Sequence, residues 1–175
     1  YWETRPQPST ARSESGMVLV GTKIYVLGNE VASSGRTVEV YDVTTQGWTS
    51  GPLMPGYGPE SYGRNHIQPV AIDGKIYVAG GFAVTSRAGI EEMMVLDTGN
   101  LGAGWQQLAP MPEGRGSMAC AADGVRIFCA GGAADGATAP SVSDLLIYNT
   151  LTDTWSVGAS MPRDRDSTFA QMIGG

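Results

Sequence analysis

The stretch Lys75-Ile76-Tyr77-Val78-Ala79-Gly80-Gly81, followed by Met93-Met94-Val95-Leu96-Asp97 and then a lone Trp105, decides the fold, because the same sentence is written three times. Each copy is an apolar run ending in glycine, a second run ending in an aromatic-Asp or similar pair, and a tryptophan. The first copy reads Gly28, Tyr41-Asp42, Trp48, and the third Gly131-Gly132, Tyr148-Asn149, Trp155. From Trp2 through Trp48 and Trp105 to Trp155 the steps are 46, 57 and 50 residues, near the ~40–50 residues of a four-stranded propeller blade. A repeat of this length means a stack of sheets in place of one compact core.

The runs at 17–20, 23–27 and 38–43 are rich in β-branched and aromatic residues and have strand length. Gly21-Thr22, Asp73-Gly74 and Asp123-Gly124 are expected as two-residue turns joining the first two strands of each unit. The double glycines are expected where backbone must bend or approach a neighbour closely. Asn29 replaces the second glycine in the first copy and is expected to tolerate a left-handed φ.

Double Gly, Tyr-Asp, Trp and the Met-Pro pairs Met54-Pro55, Met111-Pro112 and Met161-Pro162 are together the markers of a known family. Nearly the whole chain resembles the kelch-repeat family. The resemblance implies an all-β propeller of four-stranded antiparallel blades, three complete (16–51, 67–108 and 117–158) with flanking strands of an incomplete ring. A d strand is expected near 1–5 and an a strand near 167–173, labelling each blade a to d from the axis outward. An orphan d and an orphan a cannot pair with each other, so the expectation is a larger propeller. Its remaining blades would come from the same longer chain or from a partner chain.

Composition excludes little. The chain is 42% apolar with 25 Gly and 10 Pro in 175 residues, enough for a core divided among thin layers. No run of about 18 apolar residues offers a membrane span. No leader-like segment opens the sequence, which says nothing about secretion. A net charge of −6 without a dense Lys/Arg cluster disfavours nucleic acid.

In such blades the b-to-c and d-to-a connections share one face, and here they are long: 29–37, 82–91 and 133–143 for the first kind. Each d-to-a connection presents an arginine, namely Arg12, Arg64, Arg115 and Arg165. Kelch relatives that recognise acidic peptides use arginines at similar positions, so the resemblance implies a ligand-binding role. The structural alternative is that each arginine ties blades together through backbone carbonyls. Six extra residues in the second blade place Tyr57, Glu60 and Tyr62 in a flexible loop on this face, beside Asn65 and His66. That loop is read either as a ligand contact or as a lid on the neighbouring blade.

His66 is the sole histidine, so no metal site and no cofactor are expected from these residues. No nucleophile, base and orienting group form a recognisable catalytic set. With a strict two-residue turn at Asp123-Gly124, Cys120 faces Ile127 and lies diagonal to Cys129; a one-step bulge would set the cysteines opposite each other. A disulfide and two small buried thiols both remain open, and the first would suit an extracellular setting. Two functions follow. One is a non-catalytic scaffold binding a protein, peptide or glycan on the loop face. The other is a portion of a secreted propeller enzyme of the galactose oxidase kind, with its metal or catalytic residues outside this chain.

Overall fold

The computed structural model describes residues 3–58 and 61–173. Among them there is no α-helix, only one 3-10 turn at Leu101–Ala103 and strands. Three four-stranded antiparallel sheets follow one another along the chain. The first holds β1 (Gly16–Val20), β2 (Lys23–Leu27), β3 (Val38–Asp42) and β4 (Gly47–Ser50) in sequential order. A short β5 (Arg64–Asn65) precedes the second sheet, whose β6 (Val70–Ile72) and β7 (Lys75–Ala79) form a hairpin. After β8 (Phe82–Ala83) the chain returns as β9 (Met93–Asp97) and β10 (Trp105–Leu108), with β9 paired to β7. The third sheet is β11 (Ala119–Asp123), β12 (Arg126–Ala130), β13 (Leu145–Asn149) and β14 (Thr154–Val157). This is the blade architecture of a propeller arc.

The period-2 alternation of the strands gives each blade two faces, and the faces sandwich two cores. Tyr25, Leu27, Val38 and Val40 of blade 1 meet Ile76, Val78, Met94 and Leu96 of blade 2. Tyr77, Ala79, Met93 and Val95 on the other face of blade 2 meet Cys120, Ile127, Cys129, Leu146 and Tyr148 of blade 3. Each of the three described tryptophans reaches back to the chain before its own blade. Trp105 Nε1 donates to the Pro52 carbonyl at 3.1 Å and Trp155 Nε1 to that of Ala109 at 2.9 Å. Trp48 makes the same bond to Pro6 at 2.7 Å.

Three expectations change. The turn of blade 3 is Gly124-Val125, one residue later than the expected Asp123-Gly124, because Asp123 pairs with Arg126. Gly124, at φ 58°, takes the first turn position, as Gly21 does in blade 1, the place a type II′ hairpin reserves for glycine. That shift sets Cys120 opposite Cys129, and the two form a disulfide with Cα atoms 4.2 Å apart.

The second correction concerns Asn29, which is absent from the positive-φ positions. It is fully buried and bonds through its side chain, donating to Ala11 O and Ser34 Oγ and accepting from Ser13 N. Third, no strand forms over 167–173. With no neighbouring strand to extend a ladder, that segment is held instead by the Gln68 side chain, whose Nε2 donates to Ala170 O at 2.7 Å. Of the d strand expected near 1–5, Tyr1 and Trp2 lie outside the described residues, and residues 3–5 carry no strand.

Candidate functional site

The b-to-c and d-to-a connections do gather at one end of the arc, and they are knitted to one another. Within blade 2, β5 pairs with β8. Between blades, Ala88 bridges Asp135, and within the third unit Gly116 bridges Ala133 and Val142 bridges Arg165. Backbone bonding across loops makes this face a rigid surface.

The arginines sit beneath it. Arg12 and Arg64 each stand sixteen residues before the first glycine that ends the b strand, and each donates through Nη1 to that glycine's carbonyl: Gly28 at 2.7 Å and Gly80 at 3.0 Å. Each also grips a carboxylate near the start of the c strand, Glu39 at 3.0 Å and Glu92 at 2.6 Å. Arg115 keeps the acid, bonding Asp144 at 2.8 Å and Glu113 at 2.9 Å. Its Nη1 is buried without a partner among the described residues. The second residue of each pair then closes the joint to the next blade. Asn29, Gly81 and Gly132 donate their backbone N–H to the carbonyls of Arg64, Arg115 and Arg165.

The side chains of Arg12, Arg64 and Arg115 are only 6%, 0% and 5% exposed, so they face the blade interior and not a ligand. This is the structural alternative left open by the sequence. Arg165 alone of the four is exposed. Burial pulls the Arg64 guanidinium below its ordinary value against the opposing Glu92 carboxylate. Arg115 is held above its ordinary value, because Glu113 and Asp144 outweigh its burial.

Burial alone would raise Glu39, yet the hydrogen bonds from Ser9 and Arg12 outweigh it and hold the carboxylate below the ordinary range. A carboxylate depressed on folding contributes stability above its unfolded pKa and loses it as pH falls through its folded pKa. We therefore expect urea midpoints to fall as pH drops below about 4. Glu39→Gln should flatten that acid limb while costing about 2–4 kcal/mol at pH 7, since it leaves Arg12 buried without a counter-charge.

Two residues beyond each arginine lies an equivalent position, of which sequence reasoning named only His66 for the site. Glu14, His66, Ser117 and Ser167 all adopt left-handed backbone, with φ between 49° and 58°. They form a relay around the axis, in which His66 N donates to Glu14 O, Ser117 N to His66 O and Ser167 N to Ser117 O. The constant offset from the arginines was the available signal. His66 is thereby fixed at the channel mouth, with Nε2 3.2 Å from Glu14 Oε2, Nδ1 2.9 Å from Asn65 Oδ1, and its ring 5.3 Å from that of Phe82. Asn65 itself is buried, at 4% exposure.

Tyr57 and Tyr62 pair across a small turn, Tyr57 N donating to Tyr62 O at 2.7 Å; Glu60 lies outside the described residues. Tyr57 and Gly58 border a cleft of about 720 Å³ whose other wall is Ala83, Thr85, Ser86, Ala88 and Glu92. Tyr57 and Gly58 of the inserted segment thus face the b-to-c connection across a groove. No cluster of three or more His, Cys, Asp or Glu side chains with metal-holding geometry occurs among the described residues. Among the described residues no helix is long and apolar enough to cross a membrane.

The comparisons agree with this geometry. A Kelch motif family model matches residues 11–55 and 114–162, more than half the chain. The F-box/kelch-repeat protein OR23 of Arabidopsis thaliana is 33% identical over 138 residues, covering 72% of this chain and 31% of that protein. Kelch-like protein 25 of Xenopus tropicalis is 26% identical over 167 residues, 93% of this chain and 28% of its own length. The chain spans about a third of the length of the curated relatives it matches. With the blade pattern, the glycine-arginine joints and these matches in hand, the chain belongs to the kelch-repeat family.

Proposed function

We propose that this chain is a protein-interaction scaffold, whose partner is a protein engaged by the face on which the b-to-c and d-to-a connections meet. The observation that carries the reading is the cross-bonding of those connections, from β5 with β8 to Val142 with Arg165. It presents irregular loops on a rigid support, so little conformational entropy is lost on binding. The groove beside Tyr57 offers aromatic area of the kind that anchors protein partners. The opposite face carries the two-residue a-to-b turns and c-to-d links of four to seven residues, tied to each other by bonds such as Thr98 N to Gly74 O.

On the same reading the three blades are an arc of a larger ring. Met17 and Leu19 of the innermost strand are 66% and 58% exposed. They share with Ile24, Val26, Tyr41 and Trp48 the face of blade 1 turned away from blade 2. Blades elsewhere in a longer chain, or in a partner chain, would cover that face.

A photo-crosslinking side chain placed at position 57 should yield protein adducts in cell extract, and the same group at Lys23 or Lys75 on the opposite face should not. Tyr57→Ala with Tyr62→Ala should cut capture of the adducted partner at least about tenfold. Equal adducts on both faces, or capture indifferent to the tyrosines, would reject the placement.

A further inference from the structure

The channel mouth holds a cavity of about 230 Å³ lined in part by His66, Phe82, Ser117, Asp135, Asp166 and Ser167. A second cavity of about 160 Å³, which adds Glu14 and Phe169, shares the lining residues His66, Ser117 and Ser167 with it. Each volume is below the ~300–1,000 Å³ of sites for drug-sized molecules and suits one side chain. Neither cavity is lined by a lysine or an arginine.

Two carboxylates line the larger cavity. Asp135 Oδ1 accepts from the N–H groups of Ala137, Thr138 and Ala139, and these bonds keep its carboxyl well below the ordinary range. Asp166 Oδ2 accepts from Ser141 at 2.6 Å, and its other oxygen carries no hydrogen bond among the described residues. Arg87 reaches the same loop, but its guanidinium is occupied by the Gly136 carbonyl at 3.1 and 2.6 Å and by Glu30 at 3.8 Å.

Ser117 adds an independent polar group. It is only 8% exposed, its backbone N–H and C=O are both used in the axial relay, and it lines both cavities. Its hydroxyl carries no hydrogen bond among the described residues while its oxygen stays open to the cavity, free to accept one from a guest. The Phe82 ring, 3% exposed and packed against the His66 ring, forms an apolar part of the same wall.

The geometry points to a receptor for a single cationic side chain of the partner, an arginine or lysine inserted along the axis between Asp135, Asp166 and Phe82, with Ser117 accepting a hydrogen bond. This rests on the protein-scaffold reading and deepens it. It also reverses the sign of ligand that the arginine series suggested, because three of those guanidiniums point into the blades.

The single histidine of the chain makes its imidazole resonance a reporter inside the site. Titrating the whole chain with N- and C-blocked arginine or blocked lysine should shift that signal saturably, with affinity in the range of about 1–10 mM. Blocked citrulline, the same size without the charge, and blocked glutamate should leave it in place. Asp166→Asn, which keeps an acceptor for Ser141, should weaken blocked arginine about fivefold, and Ser117→Ala about two- to fivefold. Citrulline binding as well as arginine, no shift with any probe, or indifference to both substitutions would overturn the proposal. Crosslinked partner at position 57 in that case would leave the scaffold reading standing.

Discussion

Gly80→Ala is expected to destabilise the chain by more than about 3 kcal/mol, read as a fall in the urea midpoint at unchanged m-value. Two costs combine. Gly80 holds φ at +60°, a conformation that charges an alanine about 1 kcal/mol. A methyl group there would also collide with the Arg115 carbonyl oxygen and lie 2.7 Å from Met111 Cε and 3.0 Å from Ile90 O. Arg115 O is the acceptor through which Gly81 joins blade 2 to blade 3, at 2.9 Å, so the methyl cannot be accommodated without opening the joint. Gly74→Ala separates the two costs. It has φ +73° but only Thr98 Oγ1, at 3.9 Å, within reach, so about 1 kcal/mol is expected. Equal losses at the two positions would reject the close-approach account of the double glycine.

Arg64→Ala should cost about 3–5 kcal/mol, because it leaves the Glu92 carboxylate and the Gly80 carbonyl without their donors in a site the side chain fills completely. For a domain of this size that is a fall of roughly 6–20 °C in Tm. Arg165→Ala should stay within about 0.5 kcal/mol, since its side chain is exposed. The sixteen-residue spacing that gives Arg64 its glycine would carry past Gly175 for Arg165. Calorimetry on the two variants distinguishes a blade clamp from a ligand contact: equal, small losses would return the arginines to the binding surface.

The fold was legible because each blade repeats a covalently local pattern. Continuous apolar runs such as those of 75–79 and 93–97 mark strands buried on both faces, and turn residues fix their pairing. What was not legible turned on single-residue geometry. The register of β11 and β12 hinged on whether Gly124 took the first or second turn position, and that choice alone decides whether Cys120 meets Cys129. Asn29 in the place of a glycine reads as a backbone substitution, yet it works through its side chain, whose partners at Ala11, Ser13 and Ser34 are fixed only by tertiary structure. The arginines illustrate the same limit for the site. Their location followed from spacing, but whether a guanidinium points outward or inward depends on Glu39, Glu92 and Asp144. Those acids stand 11, 12 and 13 residues after the first glycine and so form no fixed motif. His66 and Asn65 were found together by adjacency, whereas Glu14, Ser117 and Ser167 required the axis to bring them to one place.

The axial relay separates backbone from chemistry. Glutamate, histidine and two serines occupy equivalent stations with nearly the same φ, so the polypeptide asks of each only its peptide group. Substituents there can be exchanged like bits in one chuck: the chemistry presented at these stations could be rewritten while the joints holding the sheets together stay as they are.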